Sequence, residues 1–316
     1  MNKQKLLPFI LTTLFAVLFI WFFENSRTAS FVFPFLISAC MSVNALYCGK
    51  TYSLVSLLII GGFSYIAFDA STAILFSSLV LTVTGIAVGL LIKGKKSQAF
   101  SICVASVGFF VLYVGSLIFL SRALGENAVE YTVNLLKPYF LEAFETSLYS
   151  ARLEGMYSGM EEYLNLFLDS FVLLMPAIII LLSAVMGYVL MFVVSIILKL
   201  LRSEYKFSVL FSKFKADGIT IIIYFISMLA GMFINNEVLL LVFNNIYTIL
   251  QFILQICGLS LIDAFFIRKK LSLIPRIIVI MLIFFSSMIP VVAAILVILA
   301  ALDANRDFRG LNTKND

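Results

Sequence analysis

The stretch that decides the fold is FVLLMPAIIILLSAVMGYVLMFVVSIILKL, residues 171–200. Lys199 is its single charged residue, and the run before it is continuously apolar apart from a few small residues. A helix of about 20 such residues crosses a hydrocarbon core about 30 Å thick. This stretch therefore predicts a membrane-spanning helix.

Similar apolar runs recur along most of the chain. Of its 316 residues, 62% are hydrophobic and 12% charged, and the mean hydropathy is +1.11. We therefore predict an all-α fold, a polytopic transmembrane helical bundle of about nine helices. The predicted spans are 6–23, 31–48, 51–68, 71–92, 99–120, 170–200, 219–236, 238–267 and 276–302. Pro290 is expected to kink the last span, because proline cannot donate the backbone hydrogen bond that a helix interior requires.

Loop charge predicts the orientation, since cytoplasmic loops carry an excess of lysine and arginine. If the N-terminus lies inside, most of the 22 basic residues fall in inside segments. We expect a multi-pass protein of the bacterial cytoplasmic (plasma) membrane with its N-terminus inside. Nine crossings would place the C-terminus outside. An eight-crossing alternative, with two spans fused or one re-entrant, would place it inside.

The spans and the polar stretches between them predict four regions along the chain. They are an N-terminal five-helix membrane bundle (1–120), an acidic extracytoplasmic helical segment (121–169), a C-terminal four-helix membrane region (170–302) and a polar C-terminal tail (303–316). In the second region, apolar residues recur at three- and four-residue steps from Val129 to Phe144, which indicates an amphipathic helix. That segment is interpreted either as a connector or as a lid or docking surface.

Composition also argues against enzymatic chemistry. The chain has no histidine, so histidine-based general bases and histidine-ligated metal sites are excluded. Its four cysteines lie in or beside apolar runs and form no zinc or disulfide framework. In GLLIKGKKS (89–97), Lys96 occupies the position where a phosphate-binding loop needs a hydroxyl. We expect no enzyme activity, cofactor, metal or nucleic-acid partner; the lipid bilayer is the expected partner.

Two sets of residues within the spans are candidates for contacts. On the eighth span, polar side chains share one helical face at steps of three and four residues. They are Asn244, Thr248, Gln251 and Gln255. These side chains either hydrogen-bond to other helices or line a substrate cavity. Gly85 and Gly89 form a GxxxG step, which favours close helix packing within the chain or with a partner helix.

Charged residues concentrate at the ends of the spans. Asp263 is expected to pair or snorkel near Arg268. In LDANRDFRGL (302–311), Asp303 and Arg306 are three apart and would pair on a continuing helix. Asp307, Phe308 and Arg309 follow. Helical spacing and the following Gly310 indicate that this cluster of charged residues marks the end of a helix.

The same ending carries a family resemblance. A basic loop precedes PRIIVIMLIFF, a proline interrupts the last span, and LDANRDFRGL follows. This order resembles the C-terminal signature of the YybS-like family of bacterial predicted membrane proteins. The matching positions are Leu302, Asp303, Asp307, Phe308 and Arg309. The function of that family is unknown, so the resemblance implies no catalytic residues.

The N-terminal helices are similar to the substrate-binding subunits of energy-coupling-factor transporters. That similarity implies a bundle that binds a small molecule and docks on a coupling membrane protein with two ATPases. Those subunits often use an Ala-xxx-Ala step in the first helix, where this chain has Thr12 and Ala16. The same architecture occurs in rod-shape scaffold membrane proteins.

Two functional hypotheses follow. The first is a small-molecule binding or transport subunit that relies on a partner for energy, with the stripe from Asn244 to Gln255 as its cavity wall. The alternative is a membrane scaffold or assembly protein for cell-envelope processes. Its contact surfaces would be 121–169 and the basic loop 202–215.

Overall fold

The computed structural model describes residues 3–26, 32–151, 157–205, 211–306 and 308–309. Within these ranges the chain forms α-helices, one 3-10 turn at Phe211–Lys213 and no β-strand. The helices are α1 (Lys3–Asn25), α2 (Phe33–Cys48), α3 (Lys50–Ala67), α4 (Thr72–Lys93), α5 (Gln98–Leu124), α6 (Ala128–Ala151), α7 (Tyr157–Leu173), α8 (Met175–Leu200), α9 (Gly218–Phe233), α10 (Glu237–Arg268), α11 (Leu273–Ser286) and α12 (Pro290–Asn305).

Each predicted span corresponds to one of these helices, except the last, which corresponds to two. Six helices are long and apolar enough to cross a membrane, namely α1, α3, α4, α5, α8 and α10. Two shorter apolar helices, α2 and α9, account for two further predicted spans. The last predicted span is a pair, α11 and α12, bent by 118° at a break before Pro290. The all-α prediction with about nine apolar segments is therefore confirmed, and the kink at Pro290 is a complete break.

The helices group into two compact units. Unit 1 comprises Met1–Met175 and Ile179–Val209, and unit 2 comprises Pro176–Ile178 and Leu210–Asp316. The division differs from the predicted boundary at 170. Almost all of α8 groups with the N-terminal helices because its apolar side chains lie in the core of unit 1. The segment predicted as an acidic helical region forms α6 and α7, which also belong to unit 1.

Unit 1 is built around α2, which packs against α1 and α4. Gly85 and Gly89 of α4 lie against the backbone of α2. A Cβ atom added at Gly85 would come within 2.2 Å of the Ser38 carbonyl oxygen, and one at Gly89 would come equally close to the Ser42 oxygen. The Ser42 hydroxyl donates to the Gly85 carbonyl at 2.9 Å. The two glycines therefore let two helices approach to backbone contact.

A second polar contact in unit 1, the Asn44 cluster, joins α1, α2 and α3. It comprises Asn44, Thr12, Thr13, Ser53 and Ser56. The Asn44 side chain is fully buried and donates to Thr12 Oγ1 at 2.8 Å and to Ser56 Oγ at 3.1 Å. It accepts from the Ser53 hydroxyl at 3.3 Å. Both ends of the amide are satisfied, as a buried polar group requires.

Unit 2 is organised by α10, against which α9, α11 and α12 pack. A Cβ atom at Gly258 would come within 2.3 Å of the Leu296 carbonyl oxygen, so α12 lies directly on α10. The start of α11 contacts the end of α10, and Phe284 near the end of α11 meets Phe252 with ring centroids 6.2 Å apart. Thus α11 runs back along α10, and α12 returns in the direction of α10.

Candidate functional site

The centre of unit 2 is a buried ion pair between Arg309 and Asp303. The Arg309 Nε donates to Asp303 Oδ2 at 2.7 Å. The two side chains are only 2% and 1% exposed. A buried charge is tolerated only with a partner and further hydrogen bonds, because desolvation costs several kcal/mol per ion. The remaining guanidinium nitrogens meet this requirement for Arg309, whereas Asp303 Oδ1 is buried without a hydrogen-bond partner among the described residues.

Arg309 ties three segments of unit 2 together. Its Nη1 donates to the Ser212 carbonyl at 2.6 Å and to Ser260 Oγ at 2.8 Å, and its Nη2 donates to the Cys257 carbonyl at 3.1 Å. The Ser260 hydroxyl in turn donates to the Phe211 carbonyl at 2.7 Å. The guanidinium therefore bonds to α12, to α10 and to the 3-10 turn. We call Arg309, Asp303 and Ser260 the Arg309 cluster.

The predicted partner of Asp303 is wrong. The sequence pattern paired it with Arg306 on a continuing helix. The helix ends at Asn305, and Arg306 adopts an extended backbone with φ −121° and ψ 115°. An i,i+3 pair requires helical geometry at both positions. Arg306 lies beyond the helix end and is exposed, so it does not lie beside Asp303 on a helical face. Asp307, the other predicted acidic member of the ending, lies outside the described residues.

The second ion pair of this region joins Asp263 of α10 to Arg276 of α11. Arg276 Nε lies 2.8 Å from Asp263 Oδ1, and the side chains are 20% and 5% exposed. The sequence placed Asp263 beside Arg268 instead. The expected pairing is present but its partner is Arg276, because α11 packs antiparallel on α10 and brings that residue alongside, while Arg268 remains exposed at the helix end.

These contacts place the C-terminal charges at the same end of α10 as Asp263. Nine full crossings would have put Asp303 and Asp263 at opposite ends. The 118° bend between α11 and α12 returns the chain, so Arg309 meets Ser260 only three residues from Asp263. The arrangement agrees with the alternative in which the last apolar segment turns back.

A half-open groove of about 460 Å³ lies beside the Arg309 cluster. Its walls are mainly apolar side chains of α10 and α12, and Arg268 and Arg309 are its two charged residues. The lining residues are Leu261, Ile262, Ala264, Phe265, Arg268, Leu299, Leu302, Phe308 and Arg309. Because Arg309 already makes four hydrogen bonds, Arg268 is the cation available to a ligand.

The predicted polar stripe on α10 lies elsewhere. Asn244 is exposed, and the Thr248 hydroxyl donates to the Asn244 carbonyl of its own helix at 2.8 Å. Gln251 and Gln255 are half-buried. None of the four lines the groove. The cavity-wall assignment of this stripe stays a prediction.

Metal binding has no ready donor set here. In the part of the chain that the structure describes, no three cysteine, aspartate or glutamate side chains group closely enough to hold a metal ion. The buried carboxylates Asp263 and Asp303 of unit 2 instead pair with Arg276 and Arg309.

The sequence did not predict the role of Arg309, although this residue belongs to the C-terminal signature. Its partners Ser212 and Cys257 lie 97 and 52 positions away along the chain. The available signals were Gly258, a glycine that admits a helix against α10, and Ser260, a hydroxyl two residues further along that helix. Only the packing of α12 against α10 brings Arg309 within hydrogen-bonding distance of Ser260.

The length and hydropathy of these helices define an integral membrane protein with several spanning helices. The chain belongs to the family described as predicted membrane protein (DUF2232), whose model matches residues 13–303. Neither a curated protein nor a solved structure matches the chain.

Proposed function

We propose that this protein is a small-molecule binding or transport subunit that relies on a partner for energy. The observation that carries the proposal is the groove between α10 and α12. Its volume of about 460 Å³ falls within the range of small-molecule sites, about 300–1,000 Å³. Apolar walls with a few polar groups are typical of such sites.

The chemistry of the groove favours an amphipathic molecule with an acidic group. Leu261, Leu299 and Leu302 offer apolar contact to a hydrocarbon portion. Arg268 offers a positive charge at the rim, and a guanidinium binds carboxylate or phosphate in a two-point geometry. Arg309 also lines the groove, but its charge is compensated by the ion pair with Asp303.

A partner that supplies energy is part of the proposal because the sequence shows no nucleotide-binding loop. The proposed location is the bacterial plasma membrane, and loop charge supports an orientation with the N-terminus inside. A groove in a protein with no energy-coupling motif of its own fits a subunit of a larger assembly.

Binding is tested with cis-parinaric acid, a fluorescent anionic amphiphile, added to the purified full chain in detergent. Wild type should bind the probe saturably, and Ala264→Trp should abolish binding because the indole fills the groove. Ala294→Trp is the matched control, since Ala294 is exposed on α12 and does not line the groove. Equal binding by Ala264→Trp and wild type would refute the groove as the site.

The partner is tested by affinity purification of the tagged full chain from its own membranes, with mass spectrometry of co-purified proteins. Recovery of an ATPase together with a second membrane protein is the expected result. Recovery of cell-envelope assembly proteins without an ATPase would contradict the transport proposal and favour a scaffold.

A further inference from the structure

We infer that the groove between α10 and α12 holds an anionic phospholipid of the surrounding bilayer, with an acyl chain along the groove and the phosphate at the Arg268–Lys270 turn. This inference rests on the proposed function, because it names the class of amphiphile that the same groove takes. It also adds residues outside the groove walls to the site.

The turn that ends α10 concentrates positive charge at the mouth of the groove. Arg268, Lys269 and Lys270 are consecutive and exposed, and Lys270 adopts a left-handed backbone with φ 58°. None of the three forms an ion pair with a carboxylate among the residues that the structure describes. Three cations without a carboxylate counter-ion among the described residues favour an anionic partner.

One contact links this charge to the groove itself. The Lys269 Nζ lies 5.6 Å from the ring centroid of Phe265, a cation–π distance. Phe265 lines the groove, as does Arg268. The cationic turn and the apolar walls therefore belong to one continuous surface.

The nearby acidic side chains do not oppose an anion. Asp263 is paired with Arg276, and Asp303 is paired with Arg309. Each negative charge is compensated inside the protein, so the field at the mouth is set by the exposed basic turn. This is the charge complementarity that a phosphate requires.

The position of the site matches the two parts of a phospholipid. The basic turn lies directly at the end of α10, a helix long and apolar enough to cross a membrane. At that depth the polar headgroup region adjoins the hydrocarbon core, and basic pockets between membrane helices bind acidic headgroups there. A soluble anion would use the charge but leave the apolar walls empty.

The test uses the full chain purified in mild detergent and analysed by native mass spectrometry with added phosphatidylglycerol or phosphatidylcholine. Wild type should retain phosphatidylglycerol preferentially. The triple variant Arg268→Gln, Lys269→Gln, Lys270→Gln should lower its retention by about a hundredfold, because each basic residue near a charged headgroup contributes about a factor of five.

The matched control is the triple variant Lys93→Gln, Lys95→Gln, Lys96→Gln. These residues also end a spanning helix, and Lys95 has a φ of 53°, close to that of Lys270. The control removes the same charge from a turn outside the groove. It should retain phosphatidylglycerol as wild type does.

Three outcomes would overturn the inference. Unchanged phosphatidylglycerol preference in the Arg268–Lys270 variant would show that this turn does not bind the lipid headgroup. Displacement of the lipid by soluble glycerol phosphate would assign the site to a free anion. A dimer that excludes lipid would assign the groove to a second copy. If Ala264→Trp also leaves parinaric acid binding intact, the proposed function fails too; if it abolishes that binding, only the lipid assignment fails.

Discussion

The Asn44 cluster of unit 1 and the Arg309 cluster of unit 2 solve the same problem with different chemistry. Both bury polar side chains where apolar helices meet. Asn44 uses a neutral amide and hydroxyl groups, whereas Arg309 uses full charges on a guanidinium and a carboxylate. Each is completed by hydrogen bonds between different helices. The two clusters differ in the free energy of unfolding that is lost when one member is removed and its partner stays buried.

A neutral group that loses its partner costs about 1–3 kcal/mol, while a buried charge costs more. Neutral hydroxyls can also turn to carbonyls of their own helix. A guanidinium has no such local alternative in the described ending of this chain. Unit 1 should therefore tolerate polar substitution better than unit 2.

The largest expected effect comes from Arg309→Leu. It leaves Asp303 charged, buried and without its partner, and should lower the free energy of unfolding by about 3–5 kcal/mol. Thermal unfolding of the purified chain in detergent measures the change. The double variant Asp303→Leu, Arg309→Leu should be more stable than Arg309→Leu alone. A double variant that is less stable than the single would contradict a compensating ion pair.

Close helix packing should give the next largest effect. Gly89→Ala and Gly258→Ala each place a methyl group within about 2.3 Å of a backbone oxygen and should cost up to about 3 kcal/mol. Gly62→Ala is the control, because nothing lies within 4 Å of its added Cβ. Gly62→Ala should be neutral or stabilising. If all three variants unfold alike, the close approaches at Gly89 and Gly258 do not exist in solution.

The neutral cluster should respond less. Asn44→Leu keeps the approximate volume but removes the amide, and should cost about 1–2 kcal/mol. Asn25→Leu serves as the comparison, since Asn25 is exposed and its side chain donates to the Trp21 carbonyl of its own helix. The same thermal assay applies. A loss for Asn44→Leu as large as that for Arg309→Leu would remove the distinction between the two clusters.

The smallest effect concerns a helix cap outside the spans. Asp217 caps α9 by accepting hydrogen bonds from the Thr220 backbone and hydroxyl, and these bonds lower the pKa of its carboxyl group. A lowered pKa gives stability that is complete above the ordinary aspartate pKa and is lost as pH falls through the lowered value. The stability difference between wild type and Asp217→Ala should therefore shrink on acidification.

The neutral cap of α10 provides the control for that experiment. Asn236 accepts from the Leu239 backbone at 3.1 Å and carries no charge. The difference between wild type and Asn236→Ala should not change over the same acidic range. A matching pH dependence for both variants would assign the effect to other groups.

Local patterns were sufficient to predict the helices. The apolar run 171–200 and its counterparts determined the spans, because hydrocarbon requires each segment to satisfy its own backbone. Pro290 located the break in the last segment, since proline favours the first turn of a helix over its interior. These signals act within a few residues of where they occur.

The partners of the charged residues could not be predicted in the same way. Asp263 had two arginines within reach along the chain, and only the return of α11 selects Arg276. Asp303 was assigned to Arg306 by helical spacing, but the helix ends first. Arg309 binds residues 49 to 97 positions away, a separation at which one sequence carries no periodic signal.

The central claim is that the C-terminal charges lie at the same end of α10 as the basic turn. Single cysteines at Phe308, Lys269 and Glu237, in a chain lacking Cys40, Cys48, Cys103 and Cys257, would be labelled with a membrane-impermeant maleimide in sealed vesicles of known orientation. Phe308→Cys and Lys269→Cys should label from the same side, and Glu237→Cys from the opposite side. Labelling of Phe308→Cys together with Glu237→Cys would contradict the account.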